Sequence, residues 1–481
     1  MTSARNAVQW FGTPPSAAEI LECERRSLSV RVGADSSVSF WDTRAVVVAF
    51  GPDQSEGRRL LIAVAERARN EGASVFARTT LSFHPIHKHI VDQLQIAPPV
   101  LVSADDPWSF AETLRSSPSQ QPANSNLEIH GDYKPADAFL LRRAFFDSTD
   151  LQITTIVGGK SGSTYGISAW GPNNRPLPFF AKADERAKCE RERVNYDEHV
   201  ARYVPFFARP NLARERCSIG AHRGLLVYDL VEHAETLSAT ASRSSAQSAI
   251  YSLFDHALRG WRHPAGTDNS GVVSDAFLQH LGEDFFNPAH PISAERFGIA
   301  RRLGGQRTEA QMFDRLGGTR CGFRAGRIHG DLHAKNVMVR GSEAVLVDFG
   351  SIVNHAPLSI DAASLEVSLA FEDDTLPHDF RSWRRFIAEV YSRKNLDGLP
   401  FPEPRHPDLQ WRRLWSSIRQ IRLLAQPLVE RGEYAMAAIC ALLRHSRREA
   451  HGRTTRAVRR DDQRRALAYA TADRLLREVG Q

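Results

Sequence analysis

One segment constrains this chain more than any other. Residues 327–351 read RIHGDLHAKNVMVRGSEAVLVDFGS. Two short apolar runs, VMV and AVLV, flank Gly341-Ser342, which is the pattern of a β-hairpin with a tight turn. Asp331 and Asn336 fall on the loop before that hairpin, and Asp348 falls just after it. The hairpin therefore brings three oxygen-bearing side chains to one edge. Phosphoryl transfer uses such a set. One carboxylate accepts or orients the proton of an attacking hydroxyl, while a second carboxylate and an amide hold Mg²⁺ through oxygen ligands. In this reading Asp331 is the base, and Asn336 and Asp348 are the metal ligands.

The letters Ile-His-Gly-Asp also occur at 129–132. There the residue five positions beyond Asp132 is Asp137, not asparagine, and neither a hairpin nor Asp-Phe-Gly follows. The first copy reads as coincidence beside a polar stretch.

The second copy, with its hairpin and Asp348-Phe349-Gly350, resembles the aminoglycoside phosphotransferase and choline kinase group of protein-kinase-like enzymes. The similarity extends over about Leu151 to Glu449 and also touches a bacterial subgroup, the ternary complex associated domains. It implies an α+β, bilobal protein-kinase-like fold, with a small β-rich lobe over 136–231 and a large helical lobe over 232–481. It also implies ATP and Mg²⁺ as cofactors. The phosphate-gripping lysine of the family corresponds to Lys182 in PFFAKAD. Its partner glutamate corresponds best to Glu192, with Glu190 and Glu198 as alternatives. The phosphate-covering loop corresponds to VGGKSGSTYG, with Gly158, Gly159, Ser161, Gly162 and Ser163. Small residues there let backbone N–H groups approach phosphate closely. The adenine-binding hinge corresponds to Asp229, Leu230 and Val231. Asp361 resembles the aspartate that braces the catalytic loop, and an N-cap role for it is equally compatible. Two departures are informative. Gly330 stands where protein kinases carry arginine, and no Ala-Pro-Glu follows Asp348. Both favour a small-molecule acceptor over a peptide. Glu283 and Asp284 were weighed as contacts for a cationic acceptor, but a solvated helix face accounts for them better.

Before this region lies a run of alternating strand and helix patterns. RAVVVAF, ASVFAR and PPVLVSAD read as strands; EGRRLLIAVAERARNEG, HPIHKHIVDQLQ and PWSFAETLR read as helices. Alternation of this kind predicts a small α/β domain with a parallel sheet over 1–115. The polar stretch SSPSQQPANSN suggests a linker, taken as 116–135. Eleven arginines crowd residues 444–477, but Glu449, Asp461, Asp462 and Asp473 interrupt them. They read as an amphipathic helix on the large lobe rather than a nucleic-acid surface. No apolar run has the roughly 20 residues of a membrane span. Five scattered cysteines, with no CxxC pair, fit the cytoplasm.

The sequence thus leads to an ATP- and Mg²⁺-dependent phosphotransferase acting on a hydroxyl of a small molecule. The alternative is a catalytically silent nucleotide-binding module in a bacterial signalling or defence complex, with the N-terminal domain contacting a protein partner.

Overall fold

The computed structural model describes residues 6–33, 40, 43–51, 54–80, 100–116, 123–156, 162–171, 173–231, 233–243, 246–262, 267–278, 292–371, 379–397, 409–429, 432–449 and 454–479. The expected helix over HPIHKHIVDQLQ lies outside these residues, as do Gly158, Gly159, Ser161, Glu283 and Asp284. The chain divides into two compact units. One comprises 1–194 and 211–230, the other 195–210 and 231–481.

The first unit begins with β1 (Ala7–Gly12), β2 (Ser29–Val32), β3 (Thr43–Ala49), β4 (Ser74–Thr79) and β5 (Val100–Ser103). They form one sheet in the order β2-β1-β3-β4-β5, with every pair parallel. Successive residues of β3 point to opposite faces. Val46 and Val48 pack against Leu61, Val64 and Ala68 of the helix Gln54–Asn70. Ala45, Val47 and Ala49 pack with Cys23, Phe110 and Leu114 from the helices Ala17–Arg25 and Pro107–Ser116. Burial on both faces is why RAVVVAF is apolar throughout rather than alternating. The parallel α/β layer expected from the sequence is present. Its first strand, first helix and second strand carried no signal that we read in advance.

The same unit continues into a second sheet. It comprises β6 (Glu128–Gly131), β7 (Asp150–Thr155), β8 (Ser163–Trp170), β9 (Pro176–Glu185), β10 (Ser218–Ile219) and β11 (Arg223–Asp229). The order is β10-β11-β9-β8-β7-β6, antiparallel except for the parallel pair β6–β7. Tyr165, Ile167, Phe179, Ala181, Ala183 and Val227 form one face, closed by Leu140, Leu141 and Ala144 of the helix Ala138–Ala144. The period of two therefore turns Lys182 to the opposite face. The buried Arg143 joins the two sheets' surroundings. Its Nη1 lies 3.3 Å from the carbonyls of Arg69, Asn70 and Ile219, and so caps the C-terminal end of the helix Gln54–Asn70.

The first Ile-His-Gly-Asp copy falls on β6, inside the stretch 116–135 expected as a linker. Asp132 is exposed, whereas Asp137 is fully buried. Asp137 accepts hydrogen bonds from Arg223 Nε (2.6 Å) and the Tyr165 hydroxyl (2.7 Å), which tie the sheet to the chain before it. Its carboxylate is structural.

The second unit is mainly helical, as expected. It also contains two small antiparallel sheets: β12 (Glu235–Thr236), β15 (Val337–Arg340) and β16 (Glu343–Leu346), and β13 (Thr267–Val272), β14 (Arg320–Ile328) and β17 (Val353–Pro357). The second of these sheets went unread, because glycines and arginines in RCGFRAGRI obscure the alternation of β14. The helix Ser359–Phe371 is buried around nearly its whole circumference and packs on Leu409–Ala425 and Glu433–Arg447. Beside them lies Thr455–Val479, whose Ala466, Leu467, Tyr469, Leu475 and Leu476 are buried. Arg296 and Arg307 pair with its Asp462 (2.7 Å) and Asp473 (3.1 Å). The arginine-rich tail is thus part of the core of this unit. No helix among the described residues is long and apolar enough to cross a membrane.

Candidate active site

In the second unit, β14 delivers the chain into His329, and the loop to Asn336 then turns back into the hairpin β15–β16. Gly341, with φ +64°, begins the two-residue turn. The loop is braced from below by Asp361 on the buried helix. Its carboxylate accepts from the backbone N–H of His329 (2.7 Å) and of Gly330 (3.1 Å). Burial raises the Asp361 carboxyl above its ordinary value, against the pull of His329 and those two N–H groups. The His329 ring is also fully buried, and its Nε2 lies 3.0 Å from Val347 O, one residue before Asp348.

Gly330 has φ +77°, and a Cβ there would lie 2.1 Å from Ser351 O. Only glycine fits, which is the physical reason for the departure from arginine noted in the sequence. Gly330→Ala is expected to cost about 1–3 kcal/mol through a strained left-handed backbone, with further loss from the close contact. A thermal or urea denaturation series would read it; an unchanged midpoint would refute the strain.

Asn336 is buried, and its side-chain amide donates to Asp331 O (3.0 Å). That bond turns Oδ1 into the atom it can offer a cation. Its own backbone O accepts from Val347 N (3.1 Å), which holds Asn336 next to the strand leading to Asp348. Asp348 is exposed and adopts φ +66°, a left-handed conformation that aspartate tolerates better than most residues. Its neighbour Phe349 anchors it. Phe349 is fully buried, stacks edge-on with Tyr196 at 5.8 Å, and has its carbonyl held by Asn195 Nδ2 at 2.9 Å.

The carboxylate of Asp331 is 27% exposed. Arg444 Nη2 lies 2.7 Å and Arg448 Nη2 3.3 Å from its Oδ1, and His333 Nε2 lies 3.9 Å from Oδ2. Burial works to raise its pKa, but Arg444, His333, Arg448 and His329 together outweigh burial and hold it at about 2. Asp331 is ionised at every physiological pH. Sequence reasoning treated Arg444 and Arg448 as part of a solvated charged stretch. A signal was present: neither has an acidic residue three or four positions away in the sequence, so each needed a distant partner.

In the first unit, Lys182 Nζ lies 2.7 Å from Glu192 Oε2, and the Tyr228 hydroxyl donates to Glu192 Oε1 at 2.9 Å. Glu192 is buried, while Lys182 keeps 21% exposure. Of the alternatives, Glu190 bonds Arg186 (3.0 Å), and Glu198 belongs to the second unit and is exposed. Gly162 and Ser163 open β8. A Cβ on Gly162 would meet Ala183 O at 2.7 Å, so close approach to β9 requires glycine there. Asp229 ends β11, with its N–H donated to Asn211 O (2.9 Å). The chain passes from the first unit to the second between Leu230 and Val231.

No protein-family model and no curated protein matches the sequence. Solved structures do resemble it in fold. A thermostable mutant of the aminoglycoside phosphotransferase APH(4)-Ia, in a ternary complex with ADP and hygromycin B, aligns with a TM-score of 0.39 and 9% identity, over 72% of this chain and 100% of that one. The aminoglycoside phosphotransferase APH(3'')-Id from Streptomyces rimosus, in complex with ADP and streptomycin, aligns with a TM-score of 0.30 and 16% identity, over 60% and 97%. A protein named as a fructosamine-3-kinase, from Haemophilus somnus, aligns at 0.32 and 13%, over 68% and 91%. The scores are low and the likeness is one of fold: this chain is similar to structures of the protein-kinase-like fold.

Proposed function

We propose that this chain is an ATP- and Mg²⁺-dependent phosphotransferase that moves the γ-phosphate to a hydroxyl of a small molecule. The observation that carries this reading is the braced loop of the second unit. Asp361 holds His329 and Gly330, and Asn336 is bonded both to Asp331 O and to Val347 N beside Asp348. Three oxygen-bearing side chains are thereby gathered by buried hydrogen bonds rather than by chance on a surface.

The residues fit the cofactors. Asp348 and the Oδ1 of Asn336 are hard oxygen donors suited to Mg²⁺. Lys182, aligned by Glu192 and Tyr228, offers a fixed ammonium group for phosphate oxygens. Bound ATP with Mg²⁺ supplies the phosphoryl group and neutralises its charge. Asp331 then accepts a hydrogen bond from the acceptor hydroxyl and points its oxygen at phosphorus. With a pKa of about 2 it is a weak base, so its work is orientation, and the proton reaches it late, as the attacking oxygen acidifies. A loose transition state needs no stronger base.

The melting temperature of the full chain tests the nucleotide site. ATP with Mg²⁺ at a hundred times its Kd should stabilise by about 2.7 kcal/mol. Asp348→Asn is the informative control, because asparagine also tolerates the left-handed backbone that alanine would strain. It should remove the Mg²⁺-dependent part of the shift. A shift that is independent of Mg²⁺ in both proteins would rule out the ligand role.

A second reading has one specific observation in its favour. The two arginines on Asp331 suit a catalytically silent nucleotide-binding module. Such a module would show the ATP shift with no ATP turnover, not even slow transfer to water.

A further inference from the structure

We propose that the acceptor carries an anionic group, a carboxylate or a phosphate, beside the hydroxyl that is phosphorylated, and that Arg444 and Arg448 bind it. This rests on the phosphotransferase reading and names the substrate class of that same site.

The two arginines stand four positions apart at the end of the helix Glu433–Arg447, and so share one face. Both reach the same oxygen of Asp331, at 2.7 and 3.3 Å. Arg444 Nη1 also lies 3.3 Å from Gly330 O, which locks it to the loop. The pocket in front of them is lined by Asp331, His333, Ser364, Arg444, His445 and Arg448 among others. Among the described residues Asp331 is its sole acid. One guanidinium balances one carboxylate; a second, with two histidines nearby, leaves the lining positive. Ser364 Oγ, buried in the same lining, has no hydrogen-bond partner among the described residues. It adds a neutral donor to the guanidinium forks, which match carboxylate and phosphate geometry bidentately. A polycationic acceptor, by contrast, would reach Asp331 only past two fixed like charges. Nothing in this lining offers such a compound the paired carboxylates it would need.

The test measures the melting temperature of the full chain with Mg²⁺ and a non-hydrolysable ATP analogue saturating, at constant ionic strength set by chloride. Inorganic phosphate, gluconate and the polycation kanamycin are titrated separately. Phosphate or gluconate should give a saturable rise in midpoint and kanamycin none; which anion acts identifies a phosphate or a carboxylate. Arg448→Gln should weaken the apparent affinity roughly tenfold, and Arg448→Lys should retain most of it. Each variant reports its own folding by its midpoint without anion. Overturning results are a flat response to both anions, an equal response in Arg448→Gln, or stabilisation by kanamycin. An anion response with no ATP turnover under any condition would instead remove the phosphotransferase reading while keeping the anion site.

Discussion

Replacing Asp331 with asparagine should lower ATP turnover, including transfer to water, by about 10²–10⁴-fold, the usual contribution of a positioned proton acceptor. Nucleotide binding should survive, because Asp331 is assigned to the acceptor hydroxyl and not to phosphate or metal. The substitution is nearly isosteric, and the backbone O of Asp331 still receives the Asn336 amide. The loop should therefore keep its shape. What changes is the charge facing Arg444 and Arg448 and the ability to accept the hydroxyl proton. Turnover of the variant at the wild-type rate would remove Asp331 from the mechanism. A wild-type protein that binds Mg·ATP with no turnover at all would favour the silent module.

The largest stability effect is expected away from the chemistry, at Glu366. Its carboxylate is buried, receives Arg422 Nε at 2.8 Å and Nη2 at 2.7 Å, and accepts the Tyr434 hydroxyl at 2.7 Å. Arg422 is itself buried and also donates to the carbonyls of Val390 and Asn395, both at 3.1 Å. Three helices are joined through this one pair. Glu366→Ala removes the anion and leaves a guanidinium in the core, a change that costs about 3–5 kcal/mol. The midpoint of thermal unfolding should fall by on the order of 10 °C. Replacing both partners by apolar residues, Glu366→Met with Arg422→Leu, should recover most of the loss, since no charge is then left buried. A loss below about 1 kcal/mol for Glu366→Ala would mean that water reaches Arg422. Glu366 lies on the helix that also carries Asp361, so a shifted helix should loosen the catalytic loop as well and lower turnover in parallel.

The candidate site was legible to different depths. Asp331, Asn336 and Asp348 were readable because their roles depend on spacing along one continuous loop and hairpin, and such spacing survives in the sequence. Lys182 was readable from its place in an apolar strand. Its partner was not unique: three glutamates occupied the following segment, and only the packing of that helix on β9 and β11 brings Glu192, with Tyr228, to Lys182. The two Ile-His-Gly-Asp copies make the same point. Both glycines take a left-handed backbone in close contact with a neighbouring carbonyl, Gly131 against Ile153 O and Gly330 against Ser351 O. The tetrapeptide thus encodes a similar strand exit twice. Chemistry follows only where the next residues supply Asn336, a hairpin and Asp348.

The sequence alone determined the local elements: a parallel α/β layer, an antiparallel sheet with its lysine, and the loop and hairpin that gather three oxygen ligands. Each is written in short-range periodicity or in turn chemistry. Tertiary structure alone decided what surrounds them. Asp361 braces the loop, Glu366 joins three helices, and two arginines far along the chain converge on Asp331. A charge in a sequence carries no record of its partner. Burial does the selecting, because a guanidinium or carboxylate withdrawn from water is stable only beside the group that compensates it, and that group can come from any part of the chain that the fold brings near.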